Sequence, residues 1–250
     1  MSLKTRLESS RLKGWNNPRE NMSHLIYAPV FWVIAIISTI LQDRSAEGVK
    51  NLASLTTLIK LSPALISVIY VLLTPATLTM FYILLAAALV FCMFGDVAME
   101  VDLVPGIGMF LIAHLLYNAD FLWHASTVGP TIIPMAVSLV CFAVMVVYVF
   151  MLVRALQSTG PEIPPFILRA GIFYFLLISA TLSTSVLLWL TTNNPLGFIT
   201  VIGAAFFILS DSLIGINAFR QKINHHELYI MPTYYLAIFL LALSAYVYVL

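Results

Sequence analysis

Asp96, in FCMFGDVAME, and Asp211, in FFILSDSLIG, each stand at the end of a long apolar run in a chain of 250 residues. Two carboxyl groups that meet across a fold can divide a reaction, one donating a proton while the other stays ionised to accept one or to stabilise positive charge. Lys60 and His114, also set in apolar sequence, add a cation and an imidazole whose charge depends on its surroundings. A charged side chain at the centre of a membrane helix costs about 2.5 to 3.5 kcal/mol on insertion scales, so each needs a partner, a wet cavity or a proton. These four residues mark a candidate catalytic site.

The elements that must position them follow from composition. Hydrophobic residues make up 61% of the chain and charged residues 9%, with a mean hydropathy of +1.00, whereas soluble domains carry about a quarter charged residues. The chain therefore reads as an all-α, polytopic membrane protein, a bundle of about eight transmembrane helices. Residues 1–23 form a basic amino-terminal tail and residues 24–250 a single transmembrane domain, with no polar stretch long enough for a separate soluble core. The expected spans are His24 to Gln42, Leu52 to Leu73, Ala76 to Met99, Pro105 to Ala125, Thr131 to Val153, Phe166 to Thr192, Leu196 to Phe219 and Leu228 to Leu250. Turns are expected at Thr74-Pro75, Pro105-Gly106, Gly129-Pro130, Gly160 to Pro165 and Asn193-Asn194-Pro195.

A net charge of +1 offers no basic face for nucleic acid, so the bilayer and lipid-like molecules are the expected partners. Cys92 and Cys141 lie in apolar segments as small hydrophobes, without disulfide framework or CxxC spacing. The first apolar run is too long for a signal-peptide core and is read as a retained helix, and the sequon at Asn21 lies too close to it for glycosylation. The loops after helices one, five and seven carry Arg44, Lys50, Arg154, Arg169, Arg220 and Lys222, which favours a cytosolic position for that face, although the tail (Lys4, Arg6, Arg11, Lys13, Arg19) votes the other way. The expected location is the endoplasmic reticulum or another internal membrane in a eukaryote, or the inner membrane in a bacterium.

Depth along the helices gathers the polar residues. At 1.5 Å per residue, Lys60 lies about 8 residues into helix two, Asp96 a few before helix three ends, His114 roughly 9 into helix four, Asp211 about 8 before helix seven ends, and Tyr234 and Tyr235 about 6 or 7 into helix eight. All fall in one half of the bilayer, as a buried polar chamber requires. His114, Tyr117 and Asn118 share a face of helix four; Thr56, Lys60 and Pro63 share one of helix two, and Ser210 and Asn217 one of helix seven. The bland alternatives are Asp96 reaching headgroup water beside Glu100 and Asp102, Lys60 snorkelling to the interface, His114 as a satisfied core residue and the tyrosines as core or belt aromatics. His225 and His226 read as solvated loop residues, and with HxxxH and HExxH absent no metal site is expected. The Phe94-Gly95-Asp96 and Leu209-Ser210-Asp211 pair, four helices apart, forms a faint repeat for which coincidence in apolar sequence is the simpler account.

The set IKLSP (Ile59 to Pro63), FGD (Phe94 to Asp96), F-x-x-x-H-x-x-Y (Phe110, His114, Tyr117), FFILSD (Phe206 to Asp211) with Asn217, and TYYLA (Thr233 to Ala237) resembles the lysoplasmalogenase family of eight-helix membrane proteins, the YhhN-like hydrolases. The likeness runs from helix two to the carboxyl terminus. It implies hydrolysis of the vinyl-ether bond of a lysophospholipid substrate, a lysoplasmalogen, to a fatty aldehyde and glycerophosphoethanolamine or glycerophosphocholine. Two features depart from the pattern: Ile238 stands where such proteins commonly carry glutamine three residues after the tyrosine pair, and the basic tail has no counterpart.

Vinyl ethers hydrolyse by protonation of the carbon beta to oxygen, and water then captures the oxocarbenium-like species. That needs an acid and a negative stabiliser, which paired carboxyls supply as they do in glycoside hydrolysis, with no metal or organic cofactor. The expected roles are Asp96 and Asp211 as acid and base or stabiliser in either order, Lys60 as partner of one of them or of substrate phosphate, and His114 and Tyr117 as positioners of water or the ether oxygen. Ser210, Asn217, Tyr234 and Tyr235 are the expected substrate contacts. The competing class is a proton-coupled transporter using the same Asp, His and Lys set as a relay; a lipid-binding receptor or scaffold is a third.

Overall fold

The computed structural model describes residues 18–46, 53–75, 77–159 and 163–248. Among them stand eight helices and no strand: α1 (Pro18–Ala46), α2 (Ala53–Leu73), α3 (Met80–Val101), α4 (Leu103–Val128), α5 (Ile132–Thr159), α6 (Pro165–Thr192), α7 (Phe198–Phe219) and α8 (Glu227–Val247). Each holds a stretch long and apolar enough to cross a membrane. Hydrocarbon offers no partner to a free N–H or C=O, and helices satisfy these groups within the segment. The chain is thus an all-α bundle of eight candidate spans, as its composition predicts.

Several boundaries differ from expectation: α3 begins at Met80 and not Ala76, α5 runs past Val153 to Thr159, and two others involve proline. Helix α1 is described from Pro18, before His24, so Arg19 and Asn21 belong to the helix. The turn expected at Pro105-Gly106 is instead the single residue Asp102. Its carboxylate accepts the Val104 N–H at 3.3 Å, and Pro105 sits in the first turn of α4, where it costs no hydrogen bond. The expectations for Lys4, Arg6, Arg11, Lys13 and Lys50 lie outside the described residues.

Helix α8 is the most enclosed, with 61% of its spanning window buried, and α5 the least, with 11%. Helices α1, α2, α3 and α7 pack around α8, while α6 packs against α4, α5 and α7. Asn193 closes α6 in the left-handed conformation (φ 49°) that asparagine tolerates, and the Asn194 amide donates to the Val247 carbonyl at 2.5 Å, fixing the α6–α7 turn to the end of α8. At the other end, α3, α4, α6 and α7 carry the candidate site.

Candidate functional site

Asp96 lies in the last turns of α3, 2% exposed, and accepts a 3.0 Å hydrogen bond from the Tyr234 hydroxyl of α8. One helical turn beyond Asp96, Glu100 meets Lys60 of α2 at 2.6 Å. Lys60 therefore pairs directly with Glu100 and with neither aspartate, although its charge acts on Asp96 across a short gap. Pro63 follows one turn later in α2, and beside it the Tyr235 hydroxyl donates to the Lys60 carbonyl at 3.3 Å while sharing a 2.7 Å bond with Ser38 of α1. Tyr235 thus fastens α8 to α1 and α2, and leaves Tyr234 to face the carboxylate.

Asp211 in α7 is built differently. Its carboxylate accepts a 2.6 Å bond from the Tyr174 hydroxyl of α6. Nearby, the His114 ring makes edge contacts with Phe207 (4.5 Å between centroids) and Tyr174 (5.9 Å). His114 Nδ1 lies 3.1 Å from the Thr181 hydroxyl, and Nε2 has no hydrogen-bond partner among the described residues. Asn118 orders this corner: its amide donates to the His114 carbonyl (2.7 Å) and to Thr181 Oγ1 (2.8 Å), and its oxygen accepts from Thr184 (3.1 Å). The His114, Tyr117, Asn118 stripe is real, and its amide and imidazole turn to the hydroxyl-rich face of α6.

Phe110, Phe207 and Tyr234 form an aromatic cluster beside the two carboxylates. Phe110 of α4 stands edge-on to Phe207 (5.9 Å) and to Tyr234 (5.8 Å), and Phe207 in turn meets Tyr234 at 5.6 Å. Gly95 makes room for this ring, since a Cβ there would come within 2.8 Å of Phe110. The buried Cys92 thiol lies 3.8 Å from the Tyr117 hydroxyl and within electrostatic reach of both Asp96 and Asp211. Cys92 is therefore central to the site and not a peripheral filler.

From Asp211 a cavity of about 80 Å³, open on one side, runs between α4, α5, α6 and α7 toward the face where Leu103, Ile163 and Phe219 form its rim. Its lining is apolar apart from Asp211 and Tyr174 at its inner end. Gly171, one turn from Tyr174, opens onto it with nothing within 4 Å of where a Cβ would be.

Several expected contacts have other work. Asn217 accepts the Ile223 N–H at 3.0 Å and so closes the α7–α8 turn, and the Ser210 hydroxyl donates to the Ile230 carbonyl at 3.3 Å. Ile238 is fully buried in the core. The loop histidines pair with carboxylates, His225 with Asp43 (3.0 Å) and His226 with Glu227 (3.4 Å). Among the described residues no three His, Cys, Asp or Glu side chains gather as a metal site.

Sequence reasoning missed Glu100 as Lys60's partner, Tyr174, Thr181 and Asp120. Glu100 is four residues after Asp96 on one helix face, and Tyr174 lies at the depth of Asp211, so both signals were present. Asp120 continues the His114 stripe toward the opposite half of the membrane; it is fully buried, and neither oxygen has a hydrogen-bond partner among the described residues.

No curated protein and no solved structure matches the chain. The family model does: it spans residues 55–245, from the first turn of α2 to the last of α8, and takes in Lys60, Asp96, His114, Asp211 and Tyr234. On that match the chain belongs to the YhhN family, the family of lysoplasmalogenase-like proteins.

Proposed function

We propose that this membrane protein hydrolyses the vinyl-ether bond of lysoplasmalogens, releasing a fatty aldehyde and a glycerophospho head group. Membership of the YhhN family supports the reading. The observation that carries it is the placement of two buried carboxyls, each held by one tyrosine hydroxyl, with one of them at the inner end of an apolar cavity. Asp211, facing that cavity with Tyr174 as its hydrogen-bond partner, is the acid. Asp96, beside the Lys60–Glu100 ion pair, is assigned the role of ionised partner.

In this mechanism the Asp211 proton passes to the beta carbon, and the double-bond electrons form the new C–H bond. Positive charge spreads over the alpha carbon and the ether oxygen, where ionised Asp96 stabilises it. Water adds to the alpha carbon and loses its proton to a carboxylate. The resulting hemiacetal collapses, breaking the bond between that carbon and the glycerol oxygen, so that vinyl ether and water become aldehyde and alcohol. His114, whose Nε2 has no hydrogen-bond partner among the described residues, is assigned to orient the water or the departing oxygen.

Asp120 favours a second reading, a proton-coupled carrier, because it adds a buried carboxyl in the other half of the bundle. Purified protein in detergent distinguishes the two. An enzyme releases aldehyde from a 1-alkenyl lysophospholipid and none from its 1-acyl analogue, whereas a carrier turns over neither and acts only across a sealed membrane.

A further inference from the structure

We propose that the apolar cavity between α4, α5, α6 and α7 binds the hydrocarbon chain of a single-chain lipid, and that Gly171 sets how much chain it admits. Its walls from Leu103 to Ile214 offer no group to a phosphate or a sugar, so only hydrocarbon matches them. The cavity runs along the bilayer normal from Phe219, at the end of α7, to Asp211, a rise of about 12 Å over eight residues. A lipid chain lies along that same direction. The polar linkage of such a molecule would find its match in the Asp211–Tyr174 pair, an orientation that rests on the function proposed above.

Gly171 lines this space one turn from Tyr174 with no atom near its missing Cβ. A large side chain there would cross the cavity without displacing the backbone. Gly108 supplies the control: it too has open space at the Cβ position, but it is exposed and does not line the cavity.

The test uses the full chain in detergent and a lysophosphatidylcholine with a diazirine in mid-chain. Illumination should label Ile172 and Ile214, which line the cavity, and Gly171→Trp should cut that labelling at least tenfold while Gly108→Trp leaves it unchanged. Labelling confined to Phe166 and Phe173, the exposed residues of α6, and indifferent to Gly171→Trp, would overturn the proposal. Should Gly171→Trp fail to fold, Gly171→Leu is the smaller plug and should cut labelling in proportion. With alkenyl substrates, Gly171→Trp should lower kcat/KM for long chains at least tenfold more than for short ones, and equal losses would remove its role in selection. Cavity labelling without aldehyde release refutes the hydrolase and keeps the chain site; aldehyde release with labelling only outside the cavity does the reverse.

Discussion

Asp96 and Asp211 each accept one hydrogen bond from a buried tyrosine, at 3.0 Å from Tyr234 and 2.6 Å from Tyr174, yet they sit in opposite surroundings. Asp96 belongs to a charged corner with Lys60 and Glu100, built from α2, α3 and α8. Asp211 faces an apolar cavity between α4, α5, α6 and α7. Two carboxyls that must hold different protonation states need different environments, and a fold that placed both beside Lys60 would give neither a distinct role. The tyrosine device is common to both; the difference lies in what surrounds it. The partners also break the faint sequence repeat, because Asp96 takes its tyrosine from α8 and Asp211 takes its own from the adjacent α6.

The largest effects test whether both halves are needed. Asp211→Asn and Asp96→Asn should each lower kcat on a lysoplasmalogen by at least 100-fold, since general acid catalysis alone contributes about 10²- to 10⁴-fold. Both variants should stay folded and extractable, because the amide keeps the shape. A loss under tenfold in either, measured as aldehyde release, would reduce the site to a single carboxyl.

Removing the tyrosine hydroxyls comes next. A hydrogen bond to a charged group is worth about 1.5 to 3 kcal/mol, roughly 10- to 100-fold in rate if it acts in the transition state. Tyr174→Phe, which removes the shorter bond and opens onto the cavity, should fall in the upper part of that range and Tyr234→Phe in the lower. The reverse order in kcat/KM would move the acid from Asp211 to Asp96.

The smallest effect concerns the ion pair. Lys60→Met should cost about tenfold or less, because Lys60 touches Glu100 and acts on Asp96 only through its charge. Glu100→Gln in the same chain should restore part of that loss by removing the carboxylate left unpaired. A double variant with no recovery in rate or in thermal unfolding would mean that Lys60 acts on substrate directly.

The bundle was legible because its signals are collective. Eight apolar runs of membrane length and the Gly, Pro and Asn punctuation between them set the helices, while the position of Pro105 misled, since proline marks a turn and also a first helical turn. Depth along each helix located Lys60, Asp96, His114, Asp211 and Tyr234 in one half of the bundle. It could not say which side chains face one another. Lys60 and Glu100 meet because α2 and α3 are antiparallel neighbours, and Tyr174 meets Asp211 because α6 packs on α7; both contacts follow from helix packing, which a single sequence encodes only through shape. Asn217 and Ser210 shared the right face and depth, yet backbone groups of the α7–α8 turn and of α8 claimed them.

The central claim is that a carboxyl group protonates carbon, and the solvent isotope reports it directly. Turnover of a lysoplasmalogen in heavy water should place one deuterium on carbon 2 of the released aldehyde and slow the reaction. The control is unlabelled aldehyde incubated with the Asp211→Asn protein, which accounts for exchange after release. Aldehyde carrying no deuterium at carbon 2 beyond that control would contradict the mechanism.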